Sequence, residues 1–200
     1  MTETAERKKL YLASGNPGKL REFQILAAGH ALELQLLPEY ATVPEFEEAA
    51  PTFAENAAGK ALYYSKHCDR MVFADDSGLV VPALDGAPGV LSARYAGLGA
   101  SSEQRNAKLL DALRARKGRE RAAYFVCVIA AALRGRATVV VSAKVDGEIL
   151  QEPRGSGGFG YDPVFYFPAL GKAFAELSAE EKNRQSHRGK AFRRLMEVLE

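Results

Sequence analysis

The apolar run KKLYLAS, Lys8 to Ser14, reads as a strand, GNPG then breaks the chain, and KLREFQILAA places Leu20, Phe23 and Ala27 on one helical face. LELQLL, Leu32 to Leu37, alternates as a second strand. Thr52 with Glu55 three residues on has the reciprocal capping pattern that opens a helix, here running to about His67. MVFA follows as a third strand and leads straight into Asp75, so the pattern puts Asp75 and Asp76 at a strand end. Ser101 and Gln104 repeat the cap before NAKLLDALRAR. Two long β-rich runs, AAYFVCVIAAAL and ATVVVSAKV, are joined by Arg134-Gly135-Arg136 as a hairpin turn. The last third holds a glycine-rich loop, PRGSGGFGYDPVF, and a terminal helix striped by Ala191, Phe192, Leu195 and Leu199. This order predicts an α/β chain with a mixed sheet flanked by helices. It is expected to form one domain over residues 1–200, with residues 1–8 as a frayed N-terminal extension.

Composition narrows the function classes. With 200 residues, 47% of them hydrophobic, one sizeable core fits. A formal charge of only +2 and the absence of Trp leave neither a strong basic excess nor a dense aromatic platform, which argues against a nucleic-acid polymer as partner. Cys68 and Cys127 form no CxxC pair and have no His at metal-ligand spacing, consistent with a reducing cytoplasm. MTETAERKK lacks the apolar core of a signal peptide, and no stretch approaches the ~18 apolar residues of a membrane span. The expectation is a cytoplasmic protein with no membrane partner.

Four stretches carry candidate chemistry. SGNPGK (Ser14, Gly15, Asn16, Pro17, Gly18, Lys19) is a strand-to-helix turn expected to leave free backbone N–H groups beside a lysine, which suits phosphate. It lacks the spacing and the final Ser or Thr of a P-loop, and a plain structural turn is the alternative. Asp75 and Asp76 repel one another, and burial raises that cost unless a cation or hydrogen bonds compensate; Mg²⁺ is the natural compensator, a solvent-facing turn the alternative. Glu45, Glu47 and Glu48 lie just ahead of the Thr52 helix, where most such runs are a solvated face. GGFGYD offers glycines for close backbone approach and Phe159 and Tyr161 for stacking on a flat ring, with a plain glycine-rich hairpin loop as the alternative. In SHRGK, Ser186 is a candidate N-cap with His187 and Arg188 in the first helical turn, where cations oppose the helix dipole.

Taken in order, SGNPGK, TFAENA..KA, ADDSGL.V.AL.GAPGV.SARYAG, NAKLL, FVCV, PRG.GGFGYDP.F and KNRQSHRGKA resemble the inosine/xanthosine triphosphate pyrophosphatase family over Leu10 to about Leu199. The resemblance implies an elongated mixed sheet, two lobes with the active site in the cleft between them, and a homodimer. It also implies hydrolysis of non-standard purine nucleoside triphosphates (ITP, dITP, XTP) to the monophosphate and pyrophosphate, with Mg²⁺ as cofactor. Carried over by motif, the Ser14–Lys19 turn would hold phosphates with Lys60 nearby, and Asp76 would be general base and metal contact. Asp75 would support it, and Glu48 would be the second metal carboxylate, with a one-residue shift within the acidic run left open. Ser77 would touch substrate. Phe159, Gly160, Tyr161, Asp162, Lys182, Ser186, His187 and Arg188 would surround the base. Arg188 offers only N–H donors, which match the 6-oxo group of hypoxanthine and xanthine better than the 6-amino group of adenine. The rival readings are a pyrophosphatase for modified pyrimidine nucleotides, which needs a differently lined base pocket, and a nucleotide-binding regulator, which needs no water-activating base.

Overall fold

A computed structural model describes residues 8–199. The expected N-terminal extension falls outside the described residues apart from Lys8, which opens strand β1 (Lys8–Leu12). Helix α1 (Pro17–Ala27), strand β2 (Leu32–Leu36), helix α2 (Phe53–Tyr64) and strand β3 (Met71–Val80) follow. Then come helix α3 (Ser102–Ala112), the long strands β4 (Ala122–Leu133) and β5 (Arg136–Ile149), the short strands β6 (Phe165–Phe167) and β7 (Lys172–Ala173), and helices α4 (Ala179–Gln185) and α5 (His187–Leu199). The strands form one seven-stranded mixed sheet in the order β2-β1-β3-β4-β5-β6-β7. β1 pairs in parallel with both β2 and β3, whereas β6 pairs antiparallel with β5 and β7. The α/β class and the helix-flanked mixed sheet are as the sequence predicts.

The chain divides into two compact units. The first comprises residues 8–76, Val128–Val141 and residues 192–199. Its core is built around Phe23 of α1, Phe73 of β3 and Phe192 of α5: Phe23 meets Phe73 edge-on at 5.1 Å and Phe192 at 5.6 Å. The second comprises Ser77–Cys127 and Ser142–Ala191. Leu79, Leu109, Leu113, Phe125, Val145, Phe165 and Phe174 are among its buried core side chains. The hairpin between β4 and β5 turns on Arg134 and Gly135, with φ of 50° and 74°, the two positive angles that a tight two-residue connection demands. Among the described residues no helix is long and apolar enough to cross a membrane.

One expectation needs correction. β3 does not stop at Asp75; it runs on through Asp75, Asp76, Ser77 and Gly78 to Val80. The carboxylates are therefore mid-strand, and polarity alone was a false stop signal because partners on both sides satisfy them. The glycine-rich stretch is a loop as expected, and between it and the last helix lie β6, β7 and α4, three elements that the pattern does not predict. Yet Ser178 and Glu181 form a full capping box at the start of α4.

Candidate functional site

The SGNPGK turn ends β1 and starts α1 in the first unit. Asn16 caps the helix: its Oδ1 accepts the Gly18 N–H at 2.9 Å and the Lys19 N–H at 3.2 Å, and Pro17 takes the first helical position, where no N–H is needed. The Ser14 hydroxyl accepts the Asn16 N–H at 3.2 Å. The Gly15 N–H is directed to the Tyr40 hydroxyl. The expected free backbone donors are thus engaged within the chain, because an asparagine cap satisfies the orphan N–H groups that a helix start would otherwise offer an anion. What the turn presents in charge is Lys19.

Lys19 and Lys60, both in the first unit, converge on the middle of β3. Lys19 Nζ lies 2.9 Å from Asp75 Oδ2 and 3.5 Å from the Asp75 carbonyl, to which Lys60 Nζ also donates, at 3.2 Å. Lys60 also pairs with Glu48, so that of the acidic run it is Glu48 that turns inward while Glu45 and Glu47 stay exposed. Burial pulls the Lys60 ammonium down, but the surrounding Glu48, Asp75 and Asp76 carboxylates outweigh it and hold its pKa above the usual lysine value. Alternation along the strand sends neighbouring side chains to opposite faces, so the two aspartates have different surroundings. Asp75 is fully buried against Lys19. Asp76 is 5% exposed and accepts the Asn56 amide N–H at 3.1 Å. Burial pushes the Asp76 carboxyl up to about 6; Lys19 and the Asn56 hydrogen bond pull against this, and Glu48 and Asp75 add to it. A buried carboxylate raised in this way is a stronger proton acceptor than an ordinary aspartate, and the two ammonium groups nearby favour its ionised form, the form that can take a proton from water.

The remaining predicted residues gather in the second unit. Phe159 is half-buried, with Lys182 Nζ 4.9 Å and the Arg188 guanidinium 5.4 Å from its ring centroid. Asp162, 2% exposed, holds this arrangement: its Oδ2 accepts the Phe159 N–H at 2.7 Å and pairs with Lys182 at 2.5 Å. Arg188 donates to the Ser77 hydroxyl at 2.8 Å. His187 is stacked on Phe125 at 4.6 Å, nearly parallel at 9°. Ser186 is the predicted N-cap of α5, accepting the Gly189 N–H at 3.0 Å. Tyr161 differs from expectation. Its ring is core, 4% exposed, and its hydroxyl donates to the Ser92 carbonyl at 2.9 Å, so Phe159 is left as the ring able to stack on a planar ligand. The glycines also differ in role. Gly157 donates its N–H to the Ala175 carbonyl, and Gly158, at φ +72°, passes where a Cβ would strike the Asp162 carboxylate. Here the missing side chains admit this chain's own groups.

Two further side chains contribute. Asn56 lies in the TFAENA..KA stretch, where nothing in the local sequence marks it as a partner of Asp76. Tyr40 stacks on Tyr64 at 4.9 Å, and burial first, then the neighbouring Tyr64, push its phenol up to about 12. No local motif marks it.

The Ham1 family matches residues 10–198. The dITP/XTP pyrophosphatase of Geobacillus kaustophilus is 50% identical over 193 residues, covering 96% of this chain and 95% of its own. A dITP/XTP pyrophosphatase of Thermus thermophilus is 50% identical over 190 residues, covering 95% and 91%. Among solved structures, a HAM1 protein from Coxiella burnetii superposes with a TM-score of 0.85 at 43% identity, over 96% of this chain and 98% of that one. The Ham1 protein of Staphylococcus aureus gives 0.83 at 41% identity, with the same coverage.

Proposed function

The chain belongs to the Ham1 family, and from that premise we propose how its side chains serve the family's reaction, the hydrolysis of non-standard purine nucleoside triphosphates such as dITP and XTP to the monophosphate and pyrophosphate. It is a nucleoside triphosphate pyrophosphatase, a hydrolase of nucleotide metabolism. Lys19 and Lys60 hold the triphosphate and stabilise the charge that grows on departing pyrophosphate. Asp76 takes the proton of the water that attacks the α-phosphate. Asp75 positions both lysines and, being fully buried, stays off the substrate. Phe159 stacks on the base, Arg188 and Lys182 donate to its oxo groups, and Asp162 keeps Phe159 and Lys182 in register.

The donor set suits a hard divalent cation. Asp76 and Glu48 offer carboxylate oxygens close enough to feel each other's charge, and a cation, the Lys60 ammonium, already sits on Glu48. Among the described residues no three His, Cys, Asp or Glu side chains converge on one point, so water and phosphate oxygens would complete the shell, as Mg²⁺ prefers. Bound Mg²⁺ would screen the triphosphate and acidify water. We assign Glu48 and Asp76 as its protein ligands. The homodimer and a cytoplasmic location remain part of this proposal. Sedimentation at about twice the 21.7 kDa chain mass tests the first, and a monomer at micromolar concentration would count against it.

The observation that carries the reading is the convergence of two lysines, Lys60 buried and Lys19 half-buried, and two unlike carboxylates on the middle of β3. It predicts that Asp76→Asn lowers kcat for dITP by at least ~10²-fold with fold and nucleotide affinity kept. A variant with near-normal kcat would remove Asp76 as the base. The base-stacking set favours a purine over the pyrimidine reading, and the proton-accepting carboxyl favours turnover over a regulator that only binds.

A further inference from the structure

Asn56, in the first turns of α2, is 1% exposed and uses its amide in three directions. Oδ1 accepts the Ala50 N–H at 3.0 Å, while Nδ2 donates to the Ala50 carbonyl at 3.2 Å and to Asp76 Oδ2 at 3.1 Å. A flipped amide would set its oxygen against both a carbonyl and a carboxylate, so these partners admit a single orientation. Ala50 lies two residues beyond Glu48 on the segment that leads into α2. One side chain thereby pairs with the backbone of the acidic segment, as a neighbouring strand would, and spends its last donor on Asp76.

We infer that Asn56 is a positioning residue that fixes the Glu48 segment and the Asp76 carboxylate relative to each other. It touches no substrate. Without its third hydrogen bond Asp76 can rotate about its side-chain torsions. Without the pair to Ala50 the segment carrying Glu48 loses a two-point backbone anchor and depends on its remaining ties, among them Lys60 and the Phe46 N–H to Tyr64. A proton acceptor misplaced by even about 1 Å costs roughly two powers of ten in rate. The inference rests on the reading of Asp76 as the base and goes beyond it in naming what holds that base.

The test uses the full chain with Mg²⁺ and dITP, comparing wild type, Asn56→Ala and Asn56→Asp, together with amide hydrogen exchange of residues 45–50. Asn56→Asp matches the size of asparagine and keeps an acceptor for the Ala50 N–H; it carries the test should Asn56→Ala fold poorly. Both variants are expected to lose at least ~10-fold in kcat with KM within about threefold, since the lysines and base contacts are untouched. Exchange across residues 45–50 should rise by at least ~10-fold while β1 and β3 stay protected. A merely structural role would loosen the segment and leave kcat within about twofold; that result in both variants, or unchanged exchange at residues 45–50, would overturn the inference. If instead wild type released no pyrophosphate from dITP, the reading of Asp76 would fall, and the exchange measurement would still decide whether Asn56 ties the segment down.

Discussion

Asp76 carries the most informative charge in the chain. Its carboxyl, ordinarily near 3.8, is pushed up to about 6 chiefly by burial. Because the folded value lies above the unfolded one, protonation stabilises the fold. That contribution is fully present below about pH 4 and is lost as pH rises through about 6, a difference worth roughly 3 kcal/mol. In metal-free protein the stability of wild type relative to Asp76→Asn should therefore fall between about pH 4 and 7, as followed by urea unfolding. A flat or rising difference would contradict the burial argument. Arg188 gives a second residue-level test. Held by Ser77 at 2.8 Å and set over Phe159, it presents donors only, and an unmatched buried donor costs roughly 1–3 kcal/mol. Arg188→Ala should therefore lower kcat/KM for ITP at least ~10-fold more than for ATP. An unchanged ITP-to-ATP ratio would pass the reading of position 6 to Lys182 or backbone N–H groups. Residue identities were legible in the sequence because charge at an apolar run is conspicuous. Partnership was not: that Asp75 serves lysines and Asp76 faces an asparagine depends on which side of the pleat each occupies, and on Asn56, distant in sequence.

At the scale of elements, the hydrophobic period found β1, β2, α1, α2, α3, β4, β5 and α5 within a few residues. It missed where β3 ends, because a strand can continue through two aspartates once lysines and an amide meet them. It missed β6 and β7 because three- and two-residue strands are too short to display an alternation. The α4 cap, Ser178 to Glu181, was readable by the rule that found Thr52 and Ser101. The glycine loop shows what a residue count cannot say: whose approach the missing side chains permit. Gly158 answers for itself, since φ +72° and the Asp162 carboxylate both oppose a Cβ there. Strain at such a position costs about 1–3 kcal/mol. Gly158→Ala should displace Asp162 from the Phe159 N–H and from Lys182, and lower kcat/KM for dITP by about tenfold or more. Unchanged kcat/KM would mean that the loop's register is irrelevant to the base.

For the molecule as a whole, the breaks between the two compact units fall at residues 76/77, 127/128, 141/142 and 191/192, inside β3, β4, β5 and α5. No linker marks them, so composition had nothing to reveal, whereas the order of motifs over Leu10 to Leu199 carried the family. The same partition puts the residues proposed for phosphate and proton chemistry, Ser14 to Asp76, in one unit, and those proposed to read the base, Ser77 to Arg188, in the other. The most direct test of this division of labour measures products and selectivity together: purified full-length protein with Mg²⁺, offered ITP, XTP, dITP, ATP and dUTP, with pyrophosphate and orthophosphate quantified separately. The account predicts monophosphate and pyrophosphate in one step from ITP, XTP and dITP, with ATP and dUTP turned over at least ~10²-fold less efficiently. Orthophosphate and a diphosphate as first products, or dUTP hydrolysed as well as dITP, would contradict it.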